Sequence, residues 1–243
     1  MHGDNIVVIP ARLESTRLPK KLLLKESGKY LLQHVYERVS LSKKADMVLI
    51  ATDSLEIMEI CKEFCASAIL TSEKHQSGTD RVQEAVKDFY FQNIINVQGD
   101  EPFINPAHID LLIERLESTP VQFVTLATRI TADDVDNRNA VKVYIDNDSS
   151  AVDFGRSMSV TMATKHKVFK HVGVYGYKKD ALKTFTGLKQ TEREVSEKLE
   201  QLRLIDNGFK IGVIPVTGEL LGIDTREDYD RFLTKLKEKS NDA

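Results

Sequence analysis

Residues 6–21 read IVVIPARLESTRLPKK, a short apolar run followed by a polar loop. The run Ile6–Ile9 predicts a buried β-strand, because consecutive apolar residues bounded by a loop are typical of strands covered on both faces. The loop carries four basic side chains: Arg12, Arg17, Lys20 and Lys21. Cationic side chains and backbone N–H groups suit a polyphosphate, although a solvated loop can have the same composition. The segment therefore predicts a buried strand followed by an anion-binding loop.

The alternation of strand, loop and amphipathic helix continues through the first half of the chain. Further strands are expected at Met47–Ala51, Ala68–Leu70 and Ile94–Val97. Apolar residues recur at helical spacing in three segments, where we expect helices: Tyr30–Ser40, Leu55–Phe64 and Asp80–Phe89. Strands that alternate with helices predict a mostly parallel sheet, and such sheets bind ligands beyond the carboxyl ends of their strands.

A polar segment follows each of these four strands. The segments read PARLESTRLPKK, TDS, TSEKHQSGTDR and QGDEP. Because the carboxyl ends of parallel strands meet at one edge of a sheet, we expect the four segments to converge there. Loops held by a rigid scaffold are where proteins commonly place binding and catalytic residues. This edge of the sheet is therefore the predicted active site.

The second half of the chain predicts a different arrangement. Strands are expected at Phe123–Ile130, Ala140–Ile145, His171–Tyr177 and Ile211–Pro215. Helices are expected at Lys178–Phe185, Glu192–Asp206 and Arg226–Lys237. Few helices separate the strands between about 123 and 190, which favours antiparallel pairing. We therefore expect one domain over residues 1–243, with a small β-rich lobe at about 123–190.

The composition excludes several classes of protein. The 243 residues include 34 Lys and Arg against 37 Asp and Glu, so the formal net charge of −3 argues against a nucleic-acid binder. Apolar residues make up 41% and charged residues 29%, as in ordinary globular proteins. No apolar run approaches the roughly 20 residues that cross a bilayer, and the first residues lack a signal-peptide pattern. We expect a cytoplasmic protein without membrane insertion, whose partners are small molecules.

The two cysteines are expected to be structural. Cys61 and Cys65 lie four residues apart in LEIMEICKEFC, which predicts that both are buried on one face of a helix. No second pair of ligands accompanies them, so a metal or redox site is not favoured.

Two aspartates are candidate ligands of a divalent cation. Asp100 lies in QGDEP directly after a strand, and Asp224 lies in LGIDT before a helix. Mg²⁺ prefers oxygen ligands, commonly one or two carboxylates completed by substrate phosphates and water. The alternative for Asp100 is a turn or helix-capping role, and Asp224, followed by Thr225, is also a competent N-cap. Spacing alone leaves both alternatives open.

The segment HQSGTD at residues 75–80 combines small hydroxyl residues and a glycine before a helix. Ser77 and the backbone around Gly78 would approach a base or a ribose. The alternative is that Thr79 or Asp80 simply caps the helix.

The segment HVGVYGY places His171 and Tyr175 at alternating positions, which predicts that both lie on one face of a strand. Semi-buried structural residues are also common at such positions. No P-loop, zinc-ligand spacing or Ser-His-Asp order accompanies these segments.

Eight segments, taken in order, resemble the 3-deoxy-manno-octulosonate cytidylyltransferases, also called CMP-Kdo synthetases. They are IPARLESTRLPKK, IATDS, HQSGTDR, NVQGDEP, NAVKV, HVGVYGY, LEQLR and GIDTREDYDR. The ordered combination of VIPAR-x-x-STRLP, HQSGT and NVQGDEP is far more specific than any one of these motifs. The resemblance implies a three-layer α/β nucleotidyltransferase fold with a mostly parallel sheet, and a homodimer whose interface includes the β-rich lobe.

The resemblance also implies the reaction and the residues that carry it. CMP would pass from CTP to the anomeric hydroxyl of the sugar acid Kdo, releasing pyrophosphate, with Mg²⁺ as cofactor, in lipopolysaccharide synthesis. The implied catalytic residues are Arg12, Lys21, Asp100 and Asp224, of which the two aspartates would bind the metal. The implied nucleotide-binding residues are Ala11, Arg12, Arg17, Lys21, Ser77 and Gly78. The implied sugar-binding residues are Gln98, Arg156, His171, Tyr175, Glu200 and Gln201.

Two segments depart from the family pattern. The family's usual PGKPL is PKKL at residues 19–22, so Lys20 replaces a glycine. The segment VDFGRSMS at residues 152–159, followed by TMATKHK, lacks the family's tyrosine and serine before the arginine and its isoleucine-proline-tryptophan run. That wall would face the sugar, and the additional Asp153 would suit an ammonium group at the 8-position. Neutral variation is the alternative.

The sequence therefore leaves three alternative functions. The first is the same reaction on 8-amino-3,8-dideoxy-manno-octulosonate (Kdo8N). The second is a nonulosonate cytidylyltransferase, which the HQSGT and LEQLR matches disfavour. The third is an inactive nucleotide-binding relative, which is disfavoured because both aspartates and the basic loop are kept.

Overall fold

The computed structural model describes residues 3–218 and 221–241. The strands are β1 (Asn5–Ala11), β2 (Met47–Thr52), β3 (Ala68–Leu70), β4 (Asn93–Asn96), β5 (Phe123–Thr128), β6 (Lys142–Ile145), β7 (Ala151–Gly155), β8 (Lys167–Lys178) and β9 (Ile211–Pro215). The helices are α1 (Leu31–Val39), α2 (Leu55–Glu63), α3 (Gly78–Val86), α4 (Pro106–Ser118), α5 (Ala132–Asp136), α6 (Val160–Lys165), α7 (Lys179–Gly187), α8 (Glu192–Glu197), α9 (Leu202–Asp206) and α10 (Arg226–Asn241). None of these helices is long and apolar enough to cross a membrane.

The chain divides into two compact units. The described residues of the first unit are 3–91, 96–110, 218 and 221–241, and those of the second are 92–95 and 111–217. The expectation of one domain over residues 1–243 stays a prediction.

In the first unit, β1, β2 and β3 form a parallel sheet in the order β3-β2-β1. Every residue of β1 is buried, as expected of a strand covered on both faces. Val97, which follows β4, donates its N–H to the carbonyl of Val8 at 3.1 Å. The segment QGDEP therefore starts beside β1, and the predicted parallel alternation is confirmed.

Two serines set where helices of the first unit begin. The Ser54 hydroxyl accepts two backbone N–H groups in the first turn of α2, and the Ser77 hydroxyl accepts the N–H of Asp80 at 3.1 Å. Ser77 is therefore the N-cap of α3, which begins at Gly78, two residues earlier than predicted. The alternative in which Thr79 or Asp80 caps this helix is wrong.

In the second unit, β5 pairs with β9 in parallel and with β8 in antiparallel orientation. Strand β6 pairs antiparallel with both β7 and β8. These antiparallel strands lie within residues 123–190, where the sequence predicts them. Strand β7 was not expected, because its five residues mix polar and apolar side chains without a clear period.

A β-bulge changes the register between β5 and β8. One step on β5, from Leu126 to Thr125, corresponds to three steps on β8, from Val172 to Tyr175. Side chains four residues apart on a regular strand are separated by about 13 Å. The ring centroids of His171 and Tyr175 are only 5.4 Å apart. The bulge therefore brings together two side chains that the sequence places merely on one face.

The expectation for the second cysteine is wrong. Helix α2 ends at Glu63, and Cys65 lies beyond it with a left-handed φ of 55°. A left-handed residue after a helix turns the chain away from the helix axis, so Cys65 is exposed whereas Cys61 is buried. Burial raises the pKa of the Cys61 thiol to about 12, which keeps it protonated at neutral pH.

The single helix expected at Glu192–Asp206 is also wrong, because two short helices occupy this segment. Lys198 has a φ of 54° and ends α8, and α9 starts four residues later. Neither glycine nor proline marks the break in the sequence, so helical periodicity alone does not reveal it.

A buried ion pair joins these two helices. Arg203 on α9 donates to both carboxylate oxygens of Glu194 on α8, at 2.8 and 2.5 Å. Both side chains are only 5% exposed, and the guanidinium lies 5.2 Å from the ring centroid of Phe185. Two parallel N–H to oxygen bonds fix distance and orientation together. The pair therefore holds the segment that carries Glu200 and Gln201.

We expect Glu194→Ala to lower the free energy of unfolding by about 3 kcal/mol, because it leaves the buried guanidinium of Arg203 without its counter-ion. Urea unfolding followed by circular dichroism measures the change. Glu192→Ala, in the exposed first turn of the same helix, is the matched control and should change the free energy by less than about 0.5 kcal/mol. Equal effects of the two variants would contradict a stabilising role of the buried pair.

Candidate active site

The basic loop is anchored at its far end. Leu18 and Leu22 are buried, and Lys21–Leu23 forms a short 3₁₀ turn. Lys20, which replaces the family's glycine, has a left-handed φ of 51° and donates to Glu56 at 2.7 Å. The left-handed backbone at this position explains why a glycine is suited to it, and the ion pair holds the lysine there.

The ammonium group of Lys21 lies among three oxygen atoms. It contacts Asp100 Oδ2 at 2.5 Å, Asp224 Oδ1 at 3.2 Å and the carbonyl oxygen of Ile223 at 2.8 Å. Partial burial alone would lower the pKa of Lys21, but the two carboxylates outweigh it and raise the pKa above its ordinary value. The lysine therefore stays charged and draws the two predicted metal-binding aspartates to one point.

The helix that follows Asp224 is capped by other residues. The Thr225 hydroxyl accepts the N–H of Asp228 at 3.2 Å, and the Asp228 carboxylate accepts the N–H of Thr225 at 2.9 Å. This reciprocal arrangement is a capping box, so the N-cap alternative for Asp224 is wrong. Its carboxylate instead accepts from Lys21 and from Arg17, the latter at 2.9 Å.

Asp100 likewise serves no helix as a cap. Helix α4 begins at Pro106, and the Asn105 side chain accepts the N–H of Ala107 at 3.1 Å. The Asp100 backbone carbonyl accepts the N–H of Ile223 at 2.9 Å. This bond holds the segment after β4 against the segment before α10, which places the carboxylates of Asp100 and Asp224 side by side.

This oxygen cluster fits a divalent cation that is shared with a phosphate ligand. Among the described residues, no group of three or more His, Cys, Asp and Glu side chains would hold a metal by itself. Two carboxylates are nevertheless the usual protein contribution to a Mg²⁺ site whose other ligands are phosphate oxygens and water. The Lys21 ammonium, between Asp100 and Asp224, marks the point where their oxygen atoms already favour a positive charge.

A second ion pair, which sequence reasoning missed, holds the other end of the basic loop. The buried Arg81 of α3 donates to Asp53 Oδ2 and to Thr71 Oγ1, both at 2.6 Å. The other carboxylate oxygen of Asp53 accepts the N–H of Leu13 at 3.2 Å. Burial lowers the pKa of Arg81, whereas Asp53 opposes that change. Asp53 lies in the motif IATDS and Arg81 in the motif HQSGTDR. These two motifs were the sequence signal that could have indicated the ion pair.

Arg12 lies next to this pair and adds a second positive charge. Its charge contributes to lowering the pKa of Arg81, and within residues 3–218 and 221–241 no ion pair of Arg12 is found. Ala11, the preceding residue, is buried at the end of β1. The start of the loop therefore presents an uncompensated cation, which suits an anionic ligand.

The remaining predicted residues of the first unit lie close together. A Cβ atom built on Gly78 would lie 3.4 Å from Pro10 Cγ and 3.5 Å from Gln98 Oε1, so the three residues are close together. Gln98 donates to Asn96 Oδ1 at 3.0 Å. The Ser77 hydroxyl is committed to capping α3 and to the Asp80 carboxylate, at 2.9 Å. The four polar segments thus converge as predicted.

Two of the predicted sugar-binding residues of the second unit, His171 and Tyr175, lie in a row of aromatic side chains. The ring of His171 lies 5.2 Å from Phe154 and 5.4 Å from Tyr175, and Tyr175 stacks on Tyr177 at 6.0 Å. Desolvation lowers the pKa of His171 to about 3. Desolvation, Tyr177 and Glu200 raise the pKa of Tyr175 well above its ordinary value. Both side chains are therefore neutral at physiological pH.

Gln201 has a buried donor that suits a ligand. The residue is 5% exposed, and among the described residues its side-chain nitrogen Nε2 has no hydrogen-bond partner. A buried polar atom normally finds a partner, because leaving it unpaired is unfavourable. Glu200 precedes it and lies near enough to Tyr175 to affect the pKa of that phenol. Glu200, Gln201 and Tyr175 therefore belong to one polar region.

Arg156 is held mainly by backbone carbonyls. Its guanidinium donates to Glu197 O at 2.6 Å, to Arg138 O at 3.1 Å and to Lys198 O at 3.2 Å. Its own carbonyl accepts from the buried ammonium of Lys142 at 3.1 Å. Arginine has five N–H donors, so these three bonds fix the side chain and leave two donors for a carboxylate or a hydroxyl.

Asp153, the predicted specificity residue, is already paired. Its carboxylate accepts from Arg193 at 2.5 Å and from the N–H of Phe154 at 2.9 Å. Arg193 also pairs with Asp206 at 2.6 Å. This pair could not be predicted from the sequence, because Arg193 lies 40 residues further along the chain.

Comparison with known proteins identifies the family. The profile described as Cytidylyltransferase matches residues 6–211. A 3-deoxy-manno-octulosonate cytidylyltransferase of Koribacter versatilis is 40% identical over 239 residues, covering 97% of this chain and 91% of the relative. The enzyme of the same name from Thermodesulfovibrio yellowstonii is 41% identical over 242 residues, covering 93% and 95%.

A solved structure of a CMP:2-keto-3-deoxy-manno-octonic acid synthetase complexed with CTP matches with a TM-score of 0.91. It is 33% identical and covers 98% of this chain and 100% of the other. This likeness confirms the predicted α/β nucleotidyltransferase fold. The matches along nearly the whole length, together with the segments that converge at Lys21, lead to one conclusion: the chain belongs to the 3-deoxy-manno-octulosonate cytidylyltransferase family.

Proposed function

We propose that this protein transfers CMP from CTP to the anomeric hydroxyl of 3-deoxy-manno-octulosonate, releasing pyrophosphate and activating the sugar acid for lipopolysaccharide synthesis. The observation that carries the proposal is the contact of Lys21 with Asp100 and Asp224 at the end of the parallel sheet. It joins a cationic loop to two carboxylates, which are the groups that phosphoryl-type transfer requires for positioning and charge neutralisation. The family membership supports the choice of nucleotide and sugar.

The reaction needs no covalent enzyme intermediate. The anomeric oxygen of the sugar attacks the α-phosphorus of CTP, and the bond from that phosphorus to the bridging oxygen of the β-phosphate breaks. Pyrophosphate leaves with the electron pair of that bond, and the hydroxyl proton passes to solvent. The protein contributes by holding the attacking oxygen in line with the leaving group.

The basic loop would bind the triphosphate. Arg12 and Lys21 neutralise phosphate charge, and Arg17 adds a third cation beside Asp224. Ala11, at the end of β1, and Gly78, where an added Cβ atom would lie 3.4 Å from Pro10 Cγ, would line the nucleotide pocket with the backbone around Ser77. The commitment of the Ser77 hydroxyl to its helix cap leaves its backbone as the contacting part.

Asp100 and Asp224 would hold Mg²⁺ together with phosphate oxygens. The ion, when bound, would stabilise negative charge on the phosphates and lower the pKa of the attacking hydroxyl. In both roles the protein's part is to keep the two carboxylates adjacent, which the bond from Ile223 N–H to the Asp100 carbonyl supports.

The resemblance to the family assigns recognition of the sugar acid to Gln98, Arg156, His171, Tyr175, Glu200 and Gln201. The unpaired Nε2 of Gln201 and the remaining donors of Arg156 support this role. A polyhydroxylated carboxylate offers acceptors to both groups. Pairing a buried donor removes the cost of leaving it unsatisfied.

Unmodified Kdo is the preferred acceptor, rather than Kdo8N. An ammonium group at the 8-position would need a free carboxylate, but Asp153 is paired with Arg193. The HQSGT and LEQLR matches disfavour a nonulosonate substrate. An inactive relative would not need Lys21, Asp100 and Asp224 in contact. We further propose that the enzyme acts in the cytoplasm as a homodimer, with the β-rich lobe in the interface, as the resemblance to the family implies.

We expect Asp100→Asn to lower kcat by about 100-fold or more, because it removes a charge that would stabilise the transition state. The measurement is Mg²⁺-dependent pyrophosphate release from CTP with Kdo as acceptor. Asp88→Asn, at an exposed position, is the matched control and should keep the kcat of the unmodified enzyme. Near-normal turnover of Asp100→Asn would remove Asp100 from the catalytic residues. If the unmodified enzyme bound CTP but turned over none of the acceptors tested, the result would support the alternative of an inactive nucleotide-binding relative.

We expect a higher kcat/KM with Kdo than with Kdo8N in side-by-side assays, because the carboxylate of Asp153 is neutralised by Arg193. Asp153→Asn should leave the ratio of the two kcat/KM values unchanged. If Kdo8N were preferred, and Asp153→Asn removed that preference, Asp153 would be the specificity determinant.

A further inference from the structure

The hydroxyl of Thr125 occupies an unusual position between β5 and β8. Thr125 is fully buried, and its Oγ1 lies 2.9 Å from Val174 O, 3.2 Å from Val172 O and 3.1 Å from His171 Nε2. The β-bulge of β8 falls at this point, so two carbonyls of that strand turn towards the threonine. One hydroxyl therefore meets three polar atoms.

Counting protons decides which nitrogen of His171 carries hydrogen. A threonine hydroxyl has one proton to donate and two lone pairs that accept. Both carbonyl oxygens accept only, so the single proton of Thr125 is best placed on the nearer one, Val174 O. If Nε2 were unprotonated, three acceptors would compete for that proton. If Nε2 carries hydrogen, it donates to Oγ1, and the hydroxyl then accepts one bond and donates another.

The surroundings of the imidazole are consistent with a neutral ring in one orientation. Phe154 meets the ring edge to face, with an interplanar angle of 83°, and the ring of Tyr175 is tilted by 50° to the imidazole. Desolvation lowers the pKa of His171 to about 3, so the ring carries one proton at neutral pH. Among the described residues, no hydrogen bond of its Nδ1 is found.

We propose that Thr125 is a positioning residue that fixes His171 as the Nε2–H tautomer, leaving Nδ1 as an acceptor for a hydroxyl of the sugar acid. The inference rests on the proposed function for the identity of the ligand, whereas the tautomer itself is a property of the free protein. A neutral acceptor selects a hydroxyl donor and gives no attraction to the carboxylate of the substrate. His171 would then distinguish the hydroxylated part of the sugar acid from its charged end.

The direct test is ¹⁵N NMR of the imidazole nitrogens in the free, full-length protein at neutral pH, with His171→Gln used to assign the signal. We expect Nε2 protonated and Nδ1 unprotonated in the unmodified protein and in Thr125→Ser, which keeps the hydroxyl. Thr125→Val has nearly the same shape and a high strand propensity, but it lacks the hydroxyl and should give a mixture of tautomers. An unprotonated Nε2 in the unmodified protein, or identical spectra of Thr125→Val and the unmodified protein, would overturn the proposal.

The kinetic test separates positioning from a general structural role. We expect Thr125→Val to raise the KM for the sugar acid by about tenfold and to leave the KM for CTP unchanged, with Thr125→Ser close to the unmodified enzyme. Equal increases in both KM values, or the same defect in Thr125→Ser, would contradict positioning through the hydroxyl. If the unmodified enzyme turned over no acceptor, the proposed function would fail while the NMR result still decided the tautomer.

Discussion

The ammonium group of Lys21 joins parts of the chain that are far apart in sequence. Its partners Asp100 and Asp224 lie 79 and 203 residues away. Removing one member of such a partly buried group would leave the others with uncompensated charge. The basic loop, the segment after β4 and the segment before α10 therefore depend on one another. The charges that hold the free protein together here are those that the proposed reaction uses.

The start of the basic loop has an independent support. Asp53 bridges the buried Arg81 and the N–H of Leu13, while Lys21 fixes the end of the loop. A loop tied at both ends loses less conformational entropy when a ligand binds than a free loop would. In the second unit, backbone carbonyls hold Arg156 in a similar way. In each unit, neighbouring groups thus orient cationic side chains.

Much of the fold and part of the site could be predicted from the sequence. Strands β3 and β9 have the predicted limits, and the convergence of four polar segments follows from parallel pairing alone. The break at Lys198 could not be predicted, because a left-handed backbone is adopted there by a residue with no turn preference. The partners of Asp153 and Arg81 were missed for a related reason. Both are ion pairs between distant segments, and periodicity describes only neighbours along the chain.

The bulge in β8 has a consequence for how the aromatic row of His171, Tyr175 and Tyr177 can vary. It adds two residues relative to β5, an even number. Adding a single residue to a strand would move every later side chain to the opposite face of the sheet, whereas adding two preserves the alternation. His171, Tyr175 and Tyr177 therefore stay on one face, and Val172 and Val174 stay buried. Because the alternation is preserved, the spacing of this aromatic row can change in steps of two residues while the core remains intact.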